Sequence, residues 1–493
     1  MRQKVKVESW LDKLYRKYFL NEKLNNSIGV FLVAAIALFF GYLIARQELL
    51  GLGIFGLIVS FAFLLVCLVN TEAGLYITAG YSFFGFHLNR FLFNDSLQVG
   101  IGSDILLVAT FLSLFISKRF NREFPRSYVT VAILVLYGYV VLQIGNPYGH
   151  SVGAWLQTIR KILAEFLLLY IGYCIFSDRQ VIRRFLTVLF ILCSIAGVYG
   201  CIQQMHGLFD FEMAWLLADP HRFGLTFIAG DFRKFSIMSD PTAFGIAMAA
   251  SAILFMAIAA YEKKWYRKGI LGLGILVMIL GMSFSGTRTA NAMLIGGVLM
   301  FILITFNNRN TRIFAAFATV AFLLLLYGPY SNATINRFRT TFLGSDDASY
   351  NVRVMNKRFI QPYIHSHPVG GGLRTTGGAA FQYNPGHQLA GFPPDSGYLK
   401  TALELGWIGL ILLLVSYFCI LRAGFRAYFV TPEKDQLKIV LAGAASLFFS
   451  LYVAQYAQDA IGQITDIVIY YPLIGLVLRT IKQRENHPDG LPQ

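Results

Sequence analysis

The sequence predicts an all-α polytopic membrane protein with about 14 (12–14) transmembrane helices and one large extracytoplasmic loop. Three observations predict it. First, 56% of the 493 residues are hydrophobic and only 14% are charged, against about 25% charged in soluble globular chains. Too few polar side chains exist to coat a water-soluble surface. Second, apolar runs of the roughly 17–25 residues that a span requires recur along the chain. Third, Lys and Arg concentrate in alternate connections between those runs.

In chain order, spans are expected near 28–45, 49–69, 72–88, 103–117, 127–145, 155–176, 182–203, 241–261, 268–284, 288–306, 312–330, 397–421, 438–457 and 463–480. The chain divides accordingly. Residues 1–27 form a cytoplasmic, interfacial amphipathic helix, with Trp10, Leu11, Leu14 and Tyr18 opposite Lys13, Arg16 and Lys17. Residues 28–330 hold the first eleven spans and a loop at 204–240. Residues 331–396 form the large extracytoplasmic loop, 397–481 the last three spans, and 482–493 a cytoplasmic tail. No signal-peptide cleavage pattern precedes the first span.

With the N-terminus inside, the inner segments carry 27 of the 42 Lys and Arg residues. KRFNREFPR, SDRQVIRR and EKKWYRK all fall on that side, as the positive-inside rule requires, and both termini are placed in the cytoplasm. The net charge of +16 therefore marks one face of a membrane, and nucleic acid is not expected as a partner. The five cysteines all lie in apolar segments and read as packing residues. No GxxxxGK[ST] loop is present, which removes a nucleotide-driven pump.

Candidate chemistry sits on the outer side, where Arg runs against the topology rule. Arg233 and Lys234 stand in GDFRKFSIMSDPTAFG, and Arg288 in the short turn SFSGTRTA. Arg353, Lys357 and Arg358 lie on a helix-like stretch of the large loop, the first two on one face. Arg suits bidentate binding of phosphate or carboxylate. For the loop trio the competing reading is phospholipid headgroup contact or an ion pair. For Arg288, wedged between two spans, a cavity-facing role is favoured. FPPDSGYLKTALELGWIGL enters the twelfth span, with Asp395 or Ser396 as N-cap and Asp395 also a candidate base. Glu404 falls inside that span, where a carboxylate marks either function or a buried ion pair or hydrogen bond that fixes helix packing. Arg160 is a candidate partner for Glu404 or Glu165. His387, eight residues before Asp395, is a second acid/base candidate. His365 and His367 lack a third ligand, and Asp346–Asp347 lacks a second set, so neither metal nor cofactor is expected.

In order and spacing, four pieces resemble the bacterial O-antigen ligase/polymerase superfamily of lipid-linked glycan glycosyltransferases. They are FRKFSIMSDPTAFGIAMA, SFSGTRTA, NVRVMNKRFIQPYIHSHPVGGGL and DSGYLKTALELGWIGL, covering roughly 225–415. The resemblance implies a GT-C-like membrane enzyme in the bacterial inner membrane with its active site outside. Its substrates would be undecaprenyl-diphosphate-linked glycan donor and acceptor, among membrane lipids, and a chain-length regulator is a further partner it admits. By the same resemblance Arg233 and Arg288 grip the diphosphate, with Lys234, Arg353, Lys357, Arg358, Tyr398 and Glu404 around the substrate. Ligase members carry His-Asn where this chain has Asp395-Ser396, so the expected activity is that of an O-antigen or exopolysaccharide polymerase. The alternatives are an O-antigen ligase acting on lipid A–core or another acceptor and, in a different class, a polyprenyl-glycan flippase. Outer-face clustering of the polar residues and the absence of an evident repeat favour an enzyme over a transporter.

Overall fold

The computed structural model describes residues 39, 41–42, 49–121, 127–149, 151–228, 230–329, 335–336, 338–339, 342 and 348–486. The 1–27 helix and nearly all of the first expected span lie outside them. The described chain is a helical bundle. In order it runs α1 (Leu49–Val69), α2 (Thr71–Phe93), α3 (Val99–Ile116), α4 (Tyr128–Leu142), α5 (Val152–Ile175) and α6 (Arg179–His206). Two short helices follow, α7 (Asp210–Leu217) and α8 (Pro220–Thr226), then a small hairpin of β1 (Phe227–Ile228) and β2 (Asp231–Phe232). The bundle resumes with α9 (Pro241–Tyr261), α10 (Trp265–Phe284), α11 (Arg288–Thr305) and α12 (Arg309–Tyr327). After α13 (Ala348–Ser366) and α14 (Ala379–Tyr383) come α15 (Gly397–Glu404), α16 (Gly406–Val430), α17 (Leu437–Gln455) and α18 (Ile464–Asn486).

Ten of the described helices are long and apolar enough to cross a membrane. The protein is a polytopic helical membrane protein. α5 misses that count because Arg160, Lys161 and Glu165 interrupt its apolar run. The centre of the bundle is α9, α17 and α18, whose apolar windows are 78%, 78% and 89% buried, whereas α12 at 11% faces outward. Leu, Phe and Ile side chains cover the outer faces of the peripheral helices, as expected when lipid is the solvent.

Small residues let the central helices touch. Gly475 of α18 lies against the α5 backbone, where a Cβ would come within 2.5 Å of the Leu169 carbonyl, and one on Gly172 would lie 2.8 Å from the Pro472 carbonyl oxygen. Glu165 is buried in this seam and accepts hydrogen bonds from Tyr471 Oη (2.7 Å) and Tyr137 Oη (2.9 Å). Arg160 instead meets Asp104 of α3 at 3.1 Å, so it pairs with neither Glu165 nor Glu404.

The loop expected at 204–240 contains α7, α8 and the hairpin. One element departs from the sequence expectation. The span expected over 397–421 is two helices, because the chain turns at Leu405–Gly406 with Gly406 at φ +72°. Hydropathy continues through that break and carries no sign of it.

Candidate functional site

The site is built at one end of the bundle, where the 204–240 and 348–396 segments gather. Its first part is the turn between α10 and α11. Asp240 caps α9 by accepting from the Thr242 and Ala243 amides, and Pro241 takes the first helical position, where no amide is needed. One turn on, Gly245 leaves room for Ser285 and Thr287; a Cβ there would lie 2.4 Å from Ser285 Oγ. Arg233 clasps the same turn from above. Its Nε donates to the Ser285 carbonyl (2.9 Å), Nη2 to Thr287 Oγ1 (2.9 Å) and Nη1 to the Leu225 carbonyl (3.2 Å). Thr287 in turn donates to the Pro241 carbonyl at 3.1 Å. The turn so held presents Arg288, exposed, as the first residue of α11. Lys234, beside Arg233, is buried and bonds to the Phe232 carbonyl (2.7 Å) and Asp231 (3.4 Å).

The second part is the dock between the glycine-rich loop and the α15–α16 break. The Gly371 amide donates to the Leu403 carbonyl (2.8 Å) and Gly372 to that of Glu404 (3.0 Å). Tyr139 Oη donates to the Leu405 carbonyl at 2.8 Å, and Asn146 Nδ2 reaches the Val369 and Gly370 carbonyls, each at 3.1 Å. Backbone meets backbone so closely that side chains are excluded. A Cβ on Gly406 would sit 1.9 Å from the Pro368 carbonyl oxygen, and one on Gly370 2.3 Å from the Gly406 amide. Both glycines have positive φ, which a Cβ disfavours. HPVGGG and ELGW are thus two halves of one joint.

Glu404 belongs to this joint. It is buried, and its carboxylate accepts from Thr376 Oγ1 at 2.6 Å, tying the loop to α15. Thr376→Val leaves that carboxylate without the donor and is expected to cost about 1–3 kcal/mol, while Thr376→Ser keeps the bond. Thermal unfolding of the two purified variants measures the difference.

Ser396, not Asp395, caps α15: its Oγ accepts from the Leu399 amide (3.4 Å) and donates to the Gln455 carbonyl at the end of α17 (3.2 Å). Asp395 is half-buried one residue earlier. Tyr398 Oη donates to the Tyr452 carbonyl (2.8 Å), fastening α15 to α17. α11 also runs along α17, with Gly296 opposite Phe449 and Val453. Arg288 lies eight residues before Gly296, or about 12 Å of helix nearer the loop-rich end. Arg288 therefore lies toward the same end of the bundle as the C-terminus of α17, to which Ser396 is fastened.

His387 Nδ1 accepts the Leu389 amide hydrogen at 3.1 Å, so the neutral ring carries its proton on Nε2. Burial, with His367 nearby, lowers its pKa below the usual histidine value, and it is neutral at pH 7. In that form it is a hydrogen-bond donor, its accepting nitrogen already engaged. Arg358 is exposed on α13; the side chains of Arg353 and Lys357 lie outside the described part of the structure. Among the described residues no group of three His, Cys, Asp or Glu is placed to hold a metal.

Sequence reading missed Thr376, Asn146, Arg374, Lys161 and Asp459. Asp459, in the short 456–463 connection, receives Lys400 Nζ at 2.9 Å. A Cβ at Gly462 would lie 2.8 Å from Lys161 Nζ and 3.6 Å from both Asp459 oxygens. Burial pushes the Asp459 pKa up, but Lys400 and Lys161 more than offset it and hold the group at about 2. Its unfolded value is about 3.9. The pairing therefore stabilises the fold fully above about pH 4 and is lost as pH falls toward 2. Melting temperature followed between pH 6 and 2 should fall through that window, and Asp459→Asn should flatten it. The signal available in sequence was two cations inside one span and an acid in a short connection.

Residues 273–414 match the family model described as O-Antigen ligase. The match supports the O-antigen ligase/polymerase superfamily for the chain, an assignment that the four sequence motifs also carry. No curated protein matches the chain. The matched segment runs from α10 to the first turns of α16 and contains Arg288, the glycine-rich joint, His387, Asp395 and Glu404. Arg233 and Lys234 lie outside it in sequence but, through the Ser285–Thr287 turn, against it in space.

Proposed function

We propose that this protein is a glycosyltransferase that polymerises polyprenyl-diphosphate-linked oligosaccharide repeat units at the outer face of the bacterial inner membrane. An O-antigen ligase/polymerase-type function is supported by the domain match; polymerase is our reading within it. The observation that carries the site is the clasped turn. Arg233 uses its guanidinium to fix the Ser285–Thr287 backbone, so that Arg288 is presented exposed toward the end of the bundle where α15 is fastened to α17.

Arg288 is the group that meets the donor diphosphate, and Arg233 positions it. The acceptor hydroxyl attacks the anomeric carbon of the donor sugar as the bond from that carbon to the diphosphate oxygen breaks. Polyprenyl diphosphate leaves, and its developing charge is stabilised by Arg288. Asp395 accepts the hydroxyl proton. A single displacement inverts the anomeric centre. His387, neutral and donating from Nε2, hydrogen-bonds substrate oxygen, and the apolar helices hold the lipid tail. Asp395, where ligase members carry histidine, favours polymerase over transfer to lipid A–core.

The glycan made by a deletion strain tests the reading. Single repeat units on the surface support polymerase. Accumulated lipid-linked polymer indicates ligase, and precursor retained on the inner side indicates a flippase. His387→Gln is expected to keep polymer synthesis within about tenfold of wild type and leave the acidic limb of the pH–rate profile in place. Loss of that limb would make His387 the base.

A further inference from the structure

Arg90, in the last turn of α2, is a cation that the reaction above leaves unused. It is only 2% exposed, a depth at which arginine is rare unless paired. Its guanidinium lies 4.8 Å from the Trp215 ring of α7 and 4.7 Å from the Phe235 ring. Such stacking suits this flat, weakly hydrated group. Nη2 donates to the Ser236 carbonyl at 3.2 Å, while Nε and Nη1 have no hydrogen-bond partner among the described residues. The charged groups within reach are Glu212, Asp95 and Arg222. Asp95 also meets Arg222 at 3.1 Å, so two guanidiniums balance two carboxylates. The cluster is therefore no anion site. What it holds is backbone.

Ser236 is the residue held. Its φ of +54° lies in the left-handed region, which a Cβ disfavours. Groups from outside the segment keep it there. The Ser236 amide donates to Gln203 Oε1 (2.7 Å), Oγ donates to the Ala196 carbonyl (2.6 Å), and the carbonyl accepts from Arg90. Gln203 is set in turn by Glu212 of α7, which accepts from its Nε2 at 2.8 Å. Backbone in a disfavoured conformation persists only where its surroundings over-determine it, and such places cluster near functional sites.

The chain on either side of Ser236 holds the Arg288 turn. Before it, Arg233 clasps Ser285 and Thr287, and the Lys234 amide donates to the Phe284 carbonyl at 3.1 Å. Phe235, the link between them, is fully buried. After it, the Pro241 carbonyl accepts from Thr287. We propose that Arg90 is a positioning residue for the transfer reaction. By holding Ser236 in its left-handed conformation, it sets the direction from which Arg233 reaches the turn that presents Arg288. This role rests on the reading of Arg288 as the diphosphate-binding group. Arg90 touches no substrate and acts through Ser236 and Arg233.

The test is the initial rate of polyprenyl diphosphate release by the full-length protein in liposomes. The substrate is polyprenyl-diphosphate-linked repeat units extracted from a deletion strain, and rates are taken per mole of folded protein. R90K keeps the charge balance with Glu212 and Asp95 but loses the flat stack. It should lower the rate about tenfold or more, because a misplacement of about 1 Å far from the chemistry can cost about 10²-fold. S236A leaves every charge and stack in place and removes one restraint, so it should fold normally and lose rate by a smaller factor. The decisive comparison is made in R233K, where the path from Ser236 to the turn is already cut. There R90K and S236A should add no further loss, whereas a contribution to stability alone would multiply with that of R233K. R90K and S236A at the wild-type rate, with R288A inactive, would overturn the positioning role and leave the Arg288 reading intact. Losses that multiply in both double variants would overturn it as well. R288A working at the wild-type rate would overturn the Arg288 reading, and the role of Arg90 with it.

Discussion

Replacing Arg288 by alanine is expected to abolish polymer at unchanged protein level. Removing one donor aimed at developing charge typically costs about 10²–10³ in rate, and here the lost group is the whole guanidinium at the proposed leaving diphosphate. Lysine restores a charge but not the planar fork that grips two oxygens at once, so Arg288→Lys should stay severely impaired. Arg233→Lys should impair activity through a different route. It loses the simultaneous bonds to Ser285, Thr287 and Leu225, which lets the turn and Arg288 move together. Glycan ladders from membranes with matched protein levels separate these cases. Polymer of normal length from Arg288→Ala would remove this residue from the mechanism.

The second large effect is structural. Gly406→Ala places a Cβ 1.9 Å from the Pro368 carbonyl oxygen at a residue with φ +72°. Neither the backbone of the glycine-rich loop nor the start of α16 can yield without breaking the joint. Strain of this kind costs about 1–3 kcal/mol before any steric overlap is counted, so a large drop in melting temperature and loss of activity are expected. Gly370→Ala removes the same joint from the other side. The double variant should therefore be little worse than either single one, since the two costs are not independent. Gly406→Ala melting like wild type would show that the α15–α16 break tolerates a side chain.

Much of the architecture was legible because bilayer crossing imposes long apolar runs. Most span positions, α9 and α11 among them, lie within a few residues of the sequence expectation. The start of α15 was legible too, as Asp395 or Ser396, and Ser396 is the cap. The break at Leu405–Gly406 was not, because its cause is the close approach of a loop from about 35 residues earlier in the chain. A glycine in ELGW looks the same in sequence whether it is packed or bent. The motif glycines of HPVGGG were visible, but not that they close on ELGW.

For the site, residue types were readable and commitments were not. Arg233 reads as an anion binder, yet its guanidinium is occupied with carbonyls and a threonine, which only folded coordinates reveal. Tyr398 and Lys234 likewise spend their polar atoms on backbone carbonyls. Glu404, an unexplained intramembrane carboxylate in sequence, is the acceptor that holds Thr376. Asp459 was overlooked because its partners come from α5 and α15, far apart along the chain.

The central claim is polymerisation from a polyprenyl-diphosphate donor with Arg288 at the reacting diphosphate. The most direct measurement supplies purified protein in liposomes with polyprenyl-diphosphate-linked repeat units alone and follows the lipid-linked glycans by gel. The account predicts a ladder growing by whole repeat units, with release of polyprenyl diphosphate, from wild type and none from Arg288→Ala. Units that stay single in wild type until lipid A–core is added, and then move to it, would contradict the account.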